Sequence, residues 1–426
     1  MNGFVELAQA AAAARRERPG VPLALATLVQ VDGSSYRQPG ARLLVDTEGR
    51  VLAGAISGGC LEGDVAARAA DVCARGVAVR LRYDLRADLE TIWGFGAACD
   101  GVAHLLLEPL TDWRWMAQAE AIRSRRQGGA VVTLFDQDAG GATAALLDGP
   151  SGSGRWHWLH ESARLRGDAA LRALAATAQR TGHAHLLSRP DHGTAFVEPL
   201  VAPIALHLVG AGRGAEAFAH FAAALGWQVT LLDHRPGLLA SLTLPPGTRA
   251  EAVRHLDDIA TSLAALPHDG RTAVALLSHI HDVDLAWLTH ALTLPLGYIG
   301  VLGSRRRAAQ LVEAAEAALA ARGTLLTPRQ RHLLHAPIGL DLGGESPASI
   351  ALSAIAEIEA VMHARPGGFL RERQSPIHTR TPTPQPRVPD VTTTVGDTTL
   401  EAGREVTLDG VLDVPPHCDR TDRSAD

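Results

Sequence analysis

The chain has 426 residues, 46% of them hydrophobic and 20% charged, with a formal net charge of −6. That length accommodates two or three domains with buried cores, and the acidic balance argues against a nucleic-acid-binding surface. No run of 18 apolar residues is present to span a membrane, and four cysteines without a C-x-x-C pair form no disulfide scaffold, so a reducing, cytoplasmic setting is expected.

Residues 4–18 have the periodicity of an amphipathic helix, stopped by Pro19-Gly20. Val21–Val31 is a strongly apolar strand that runs into Gly33-Ser34-Ser35-Tyr36-Arg37-Gln38-Pro39-Gly40. Leu43–Val45 and Val51–Ala53 read as a hairpin around Asp46-Thr47-Glu48-Gly49, and Ser57-Gly58-Gly59-Cys60-Leu61-Glu62 follows it. Both flanks of a hairpin lie at one edge. Gly33, Ser34, Ser35, Arg37, Gly40, Arg42, Gly58, Gly59, Cys60 and Glu62 are therefore the first candidates for a pocket made of backbone N–H groups, arginines and a thiol.

The helix expected over 61–75 ends at Gly76, with Val65, Ala69, Val72 and Cys73 on its inner face. Cys73 is thus read as a small buried hydrophobe. Cys60 sits just before that helix, where a thiolate is favoured. Cys99 ends a second Gly-rich loop, Thr91–Gly101, which runs into the strand 102–108. Glu62 falls in the first helical turn, where a carboxylate is electrostatically favourable. A helix over 111–127, a strand over 130–136 and a hairpin over 183–198 complete this half.

A new domain begins near Ala202. The strand Leu206–Val209 leads into Gly210-Ala211-Gly212-Arg213-Gly214-Ala215, then a helix, then a strand ending at Asp233. This is a G-x-G-x-x-A fingerprint in the strand–loop–helix setting of a Rossmann-like fold. The strand 273–277 ends at Ser278-His279, and the strand 297–302 ends at Gly303-Ser304-Arg305 before another helix. Ligands of such folds lie beyond the carboxyl ends of the strands. Gly210, Gly212, Gly214, Asp233, His279, Gly303, Ser304 and Arg305 are therefore expected at one crevice, with Asp233 on a ribose hydroxyl if a dinucleotide binds. Of Arg306 and Arg307, only one is expected to face inward. Ser346 reads as the N-cap of a core helix with Pro347 at its first position, and Asp341 and Glu345 flank that start. The Pro-, Thr- and Asp-rich stretch 371–426 is expected to be a disordered tail.

His157/His160, His183/His185, His279/His281 and His332/His335 are closely spaced, but none has Cys or carboxylate partners at ligand spacing, so no metal–protein site is assigned. No G-x-S-x-G elbow is present to suggest a hydrolase.

Together these motifs resemble the XdhC/CoxI family, accessory proteins for the maturation of xanthine dehydrogenase and related molybdenum hydroxylases. The resemblance rests on GSSYRQPGARLLV, GAISGGCLEGDV and GFGAACDGVAHLLLEPL in the first half. In the second half it rests on LVGAGRGAEAFAHFAAALGWQVTLLDHRP, YIGVLGSRRRAAQL and APIGLDLGGESPASIALSAIAEI. It implies an α/β architecture: an N-terminal XdhC/CoxI domain over 1–110, an intermediate segment over 111–201, a Rossmann-like parallel-sheet domain over 202–370, and the tail. It also implies a non-catalytic chaperone that binds the molybdenum cofactor (molybdopterin or its dinucleotide form) and promotes its sulfuration with a cysteine desulfurase. The cofactor then passes to a xanthine-dehydrogenase-type hydroxylase, and the chaperone is expected to be a homodimer. Two departures stand out: Cys99-Asp100-Gly101 where members commonly carry Cys-Gly-Gly, and Ser57-Gly58-Gly59-Cys60 where they often carry three glycines. The fingerprint alone motivates a rival expectation, an NAD(P)-dependent oxidoreductase with a nucleotide in the second-half crevice.

Overall fold

The computed structural model describes residues 3–85, 101–126, 128–135, 143–148, 155–158, 169–189, 193–374 and 406–407. The chain divides between Val201 and Ala202 into two units, the first also taking in His378–Asp426.

The first unit contains α1 (Phe4–Glu17), β1 (Leu23–Gly33), β2 (Arg42–Asp46), β3 (Val51–Gly54), α2 (Glu62–Arg75), β4 (Val79–Asp84) and β5 (Gly101–Pro109). It continues with α3 (Arg114–Ser124), β6 (Gly129–Phe135), β7 (Thr143–Asp148), β8 (Arg155–Trp158), α4 (Ala169–Thr181), β9 (His185–Arg189) and β10 (Gly193–Pro199). Two sheets form, in the orders β4-β5-β1-β2-β3 and β8-β7-β6-β10-β9. Alternation along β1 explains the first. Ala24, Ala26 and Leu28 pack with Val65, Ala69 and Val72 of α2, whereas Leu23 and Leu25 pack with Phe4, Leu7, Trp115 and Met116 of α1 and α3. α2 ends where Gly76 adopts φ 67°, a left-handed cap open to glycine at little cost. Cys73 takes the structural part expected of it: it donates to Leu23 O at 3.4 Å, and burial pushes its thiol upward.

The sequence patterns do not mark β7, β8 or α4. The two strands flank the Gly/Ser/Pro-rich residues 149–154, and α4 is alanine-rich, with Leu171, Ala175 and Ala178 on its buried face.

The second unit is a six-stranded parallel sheet with helices on both faces. Its elements are β11 (Ala205–Val209), α5 (Ala215–Ala224), β12 (Gln228–Asp233), α6 (Pro236–Ala240), β13 (Arg249–Ala252), α7 (Ile259–Ala265) and β14 (Thr272–Leu276). Then follow α8 (His281–Ala291), β15 (Tyr298–Val301), α9 (Arg305–Ala321), α10 (Pro328–His332), β16 (Leu334–His335) and α11 (Pro347–Met362). The strand order is β13-β12-β11-β14-β15-β16, with all neighbours parallel. The order reverses between β11 and β14, the place where such sheets open a crevice. Phe218, Ala222, Ile355 and Ile358 cover one face, and Ile259, Trp287, Leu288 and Leu311 the other.

Within the expected tail, Val406–Thr407 forms β17, a parallel pairing along β4. The rest of 375–426 lies outside the described residues.

Candidate functional sites

In the first unit, the hairpin does bring its two flanks together. Leu43 pairs with Gly54, and a side chain at Gly54 would run into the backbone carbonyl of Arg42. The 34–41 loop and the 55–61 loop therefore share one edge. The start of β5 joins them: a Cβ at Gly101 would lie 2.8 Å from Asp32 O and against Ser34, so only glycine admits this approach. Ser34, Arg37 and Gly58–Cys60 are exposed on that edge, Ser35 is half-buried and Gly40 is buried. Cys60 presents an exposed thiol. Cys99 and most of its loop lie outside the described residues.

Glu62 organises this edge. Its carboxylate accepts from Ile56 N at 3.1 Å, Ser57 N at 2.8 Å and Leu61 N at 3.2 Å, and from the Ser57 hydroxyl. Ser57 Oγ in turn accepts from Gly59 N at 3.1 Å and Leu61 N at 3.2 Å. Burial alone would raise the Glu62 pKa, but these donors outweigh it and hold the group below its ordinary value. Glu62 thus shapes the loop from within.

Arg42 departs most from expectation. It is 5% exposed and forms a double hydrogen bond with Glu198 of β10, Nη1 to Oε1 at 3.0 Å and Nη2 to Oε2. Its guanidinium lies 5.1 Å from the Phe4 ring centroid and 5.5 Å from that of Trp115. Arg42 therefore ties the first sheet to the second and does not face a ligand. The cause is strand parity: Arg42 is opposite Thr27, on the face of β1 that looks toward α1 and α3. Glu108 belongs to the same neighbourhood. Burial pushes its pKa up to about 7, partly offset by Arg42.

Sequence reasoning missed two features here. Asp32 accepts from Gln30 Nε2 at 3.0 Å and pairs with His104 at 3.1 Å, a polar cluster at the end of β1. Gly63 is exposed in the first turn of α2, with nothing within 4 Å of a Cβ placed there. Helix packing gives no reason for glycine at that position, and Gly58 shares the property. Glycine at an open, conformationally ordinary position keeps a surface clear for close approach.

In the second unit, the expected loops converge at the switch point. Gly210 adopts φ 112°, and a Cβ there would lie 2.5 Å from Ser278 N. Its glycine thus serves loop-on-loop packing. Gly212 and Gly214 differ: neither needs a left-handed conformation, and each would point a Cβ into open space. Arg213, His279, His281, Arg305 and Arg306 are exposed, as are Asp282, Asp341 and Glu345. His279 holds φ 60°, unusual for a non-glycine residue and costing of order 1 kcal/mol or more. Ser304 Oγ caps α9 by accepting from Arg307 N at 3.3 Å, and Gly303 takes φ 149° just before it.

Arg307 is the inward member of its triplet. It donates to Asp284 at 2.6 Å and to Leu302 O at 3.0 Å. The fully buried Asp284 also accepts from Ser278 Oγ at 2.5 Å, and that hydroxyl accepts from Ile280 N. This network fixes the turn that carries His279. Near α11, Glu357 accepts from Tyr298, from Gly339 N at 2.8 Å and pairs with His335 at 3.2 Å, anchoring the 336–340 turn.

Asp233 was expected on a ribose hydroxyl; it is engaged elsewhere. Oδ1 accepts from Arg235 N at 2.8 Å and Nε at 2.9 Å, and Oδ2 from Ala211 N at 2.7 Å and Arg235 Nη2 at 2.8 Å. Burial would raise its pKa, yet Arg235 and Ala211 bring it below the ordinary value. Among the described residues, no group of three or more His, Cys, Asp and Glu side chains is arranged to hold a metal ion, and no helix is long and apolar enough to cross a membrane.

The fold and these loops define a two-part α/β protein with a Rossmann-type second half. Family models agree: residues 206–358 match the XdhC Rossmann domain, and residues 17–84 match the XdhC and CoxI family. The chain belongs to the XdhC/CoxI family. It is 28% identical over 334 residues to a protein of Bacillus subtilis (strain 168) named as a probable xanthine dehydrogenase subunit, covering 78% of this chain and 91% of that protein. It is 32% identical over 174 residues to the uncharacterized protein YqeB of Escherichia coli (strain K12), covering 40% of this chain and 30% of that one. A crystal structure described as a xanthine dehydrogenase from Bacillus halodurans superposes with a TM-score of 0.65 at 23% identity, over 86% of this chain and 97% of that one, a likeness of fold.

Proposed function

We propose that the protein is an accessory factor of a xanthine-dehydrogenase-type molybdenum hydroxylase. In this reading it binds the molybdenum cofactor as cargo, supports its sulfuration with a cysteine desulfurase, and delivers it to the hydroxylase. The observation that carries the reading is the Gly58–Gly59–Cys60 edge in a chain that matches both family models. An exposed thiol is a soft ligand suited to a molybdenum or sulfur centre. Gly58 and Gly63 keep the surface beside it open, and the exposed Arg37 offers a charge-assisted contact to the cargo's phosphate. The name of the B. subtilis relative points to the same enzyme system.

Purification from a cofactor-producing host, with molybdenum and pterin fluorescence measured per chain, tests this. Near-stoichiometric pterin, reduced in Cys60→Ser, is the expected result. Protein that carries no pterin, and takes none up when mixed with free cofactor, overturns it. A second reading, an NAD(P)-dependent oxidoreductase, draws on the open glycines of the second unit; it requires hydride transfer to an added acceptor without any pterin.

A further inference from the structure

Asp32, at the end of β1, differs from Glu62 and Asp233 in what it accepts. Those two collect backbone N–H groups and so shape their own loops. Among the described residues Asp32 accepts only from side chains, Gln30 Nε2 at 3.0 Å on Oδ1 and His104 Nε2 at 3.1 Å on Oδ2. An ionised carboxylate has about four lone-pair positions, so each oxygen keeps one open. The Asp32 side chain is 45% exposed and that of His104 13%. The held side is the inner one, and the open positions meet solvent.

The strand is built to present this group. Leu28 and Gln30 pair with consecutive residues of β5, Leu105 and His104, so β1 carries one extra residue there. That bulge turns Gln30 and Asp32 onto the face of His104. Without it both would fall on the apolar side, where Leu28, Ala103 and Leu105 pack with α2. The loop that follows adds two more groups. Tyr36 is 66% exposed, with the Arg37 guanidinium 5.7 Å from its ring centroid. Unlike Arg235, Arg37 has no ion pair among the described residues. Gly40 N donates to Leu28 O and Leu28 N to Ala41 O, both at 2.8 Å, which closes the loop at its base. Four residues of chain keep the Asp32 and Tyr36 Cα atoms within about 14 Å.

A pair of acceptors, a flat ring and an unpaired cation complement a planar heterocycle with two adjacent N–H donors and an anionic substituent. The 2-amino group and neighbouring ring N–H of a 2-amino-4-oxopyrimidine are such donors, and a carboxylate receives them as a charge-assisted pair. We infer that Asp32, held by Gln30 and His104, receives this edge of a pterin, while Tyr36 stacks on the ring and Arg37 meets the anionic substituent. The assignment rests on the cargo reading above for the identity of the ring.

Fluorescence titration of the full chain, purified from a host that makes no cofactor, tests it. Pterin-6-carboxylate and lumazine-6-carboxylate share the ring system and the anion; lumazine has an oxygen in place of the 2-amino group. The pterin should bind at least about tenfold tighter, the size of one charge-assisted contact. Asp32→Asn should erase that ratio, and His104→Gln should narrow it. Tyr36→Leu should weaken both ligands alike and Tyr36→Phe neither, because the ring face is what stacks. Equal binding of the two ligands, no binding of either at about millimolar concentration, or a ratio unchanged in Asp32→Asn overturns the inference. Guanine carries the same edge, so GMP that binds tighter than the pterin overturns the assignment to a pterin. If Asp32→Asn does not fold, the parental ratio and His104→Gln decide. Protein from a cofactor-producing host that carries pterin while the parental ratio is one sinks this inference alone. A clear ratio in protein that carries no pterin from that host sinks the cargo reading and leaves the Asp32 site standing.

Discussion

Each unit carries a Gly-rich loop that opens a helix, and each loop is tied down by one carboxylate, but from different places. In the first unit the acid belongs to the helix itself: Glu62 reaches back and collects the N–H groups of Ile56, Ser57 and Leu61. In the second unit the acid comes from the neighbouring strand: Asp233 takes Ala211 N, and an arginine fills the rest of its capacity. The first arrangement puts a negative charge at the helix start and leaves Cys60 exposed on the loop. The second leaves the start of α5 open and sets a cation beside it. The same local shape thus presents different groups: an exposed cysteine in one case, an arginine paired with the buried Asp233 in the other.

The arginines follow the same division, and the largest expected effect lies there. Arg42 is enclosed with Glu198 and two aromatic rings, whereas Arg213 lies in solvent. Removing one partner of a buried pair leaves the other charge uncompensated, so Arg42→Ala should cost about 3–5 kcal/mol, read by urea unfolding. Arg213→Ala should stay within about 0.5 kcal/mol. Equal, small losses at both positions would erase the contrast between an enclosed and an open charge.

Next in size is Glu62→Gln, which loses charge-assisted bonds and should cost about 1–3 kcal/mol. Its pH dependence has a definite sign. The folded pKa lies below the ordinary 4.5, so the contribution is present above about pH 4.5 and is lost as pH falls through the folded value. Asp233 behaves likewise from 3.8 downward. A Glu62→Gln deficit that persisted undiminished at pH 2–3, roughly two units below the ordinary value, would show that the charge of Glu62 is not what holds the loop.

Glu108 runs the other way. Its folded pKa is about 7 against an ordinary 4.5, so the folded state keeps a proton that the unfolded chain has released between those values. Stability from this group therefore falls as pH rises from 4.5 to 7. The side chain keeps some contact with solvent, which discounts the penalty to about 1–2 kcal/mol. Glu108→Gln should be more stable than the parent by that amount at pH 8, with the gap closing by pH 4.5. Melting curves at the two pH values would expose a constant gap, and with it an error in assigning the proton to Glu108.

Much of this was legible in the sequence, and the failures share a cause. The fingerprint around Gly210, the strand ends at Ser278 and Gly303 and the α2 stripe are local patterns, and the structure follows them. What stayed hidden was pairing across the fold. Glu198 lies 156 residues from Arg42, and nothing local in GARLLV tells whether its arginine faces a ligand or another sheet. Asp233 was visible as an acid at the right place, but Arg235, two residues on, had to be seen in its rotamer before the carboxylate could be recognised as saturated. Asp284, fully buried, was the partner that decided which of Arg305, Arg306 and Arg307 turns inward. Periodicity reports which side of an element is apolar; it is silent on which polar groups find each other across it.

The smallest effect is the most discriminating. Gly63 occupies the first turn of α2, exposed, with open space where a Cβ would stand. Glycine in a helix costs about 0.5–1 kcal/mol relative to alanine, so Gly63→Ala should raise stability by up to that amount. If the open surface beside Cys60 serves cargo binding, the same methyl group should lower pterin retention, and the gain in melting temperature and the loss of retention should appear in one variant. Gly214→Ala is the counterpart in the second unit, with stability within about 0.5 kcal/mol and pterin retention unchanged. Gly63→Ala protein that melts higher and retains pterin at the parental level would remove the approach surface from the helix start and leave the cargo's contact to Cys60 and Arg37.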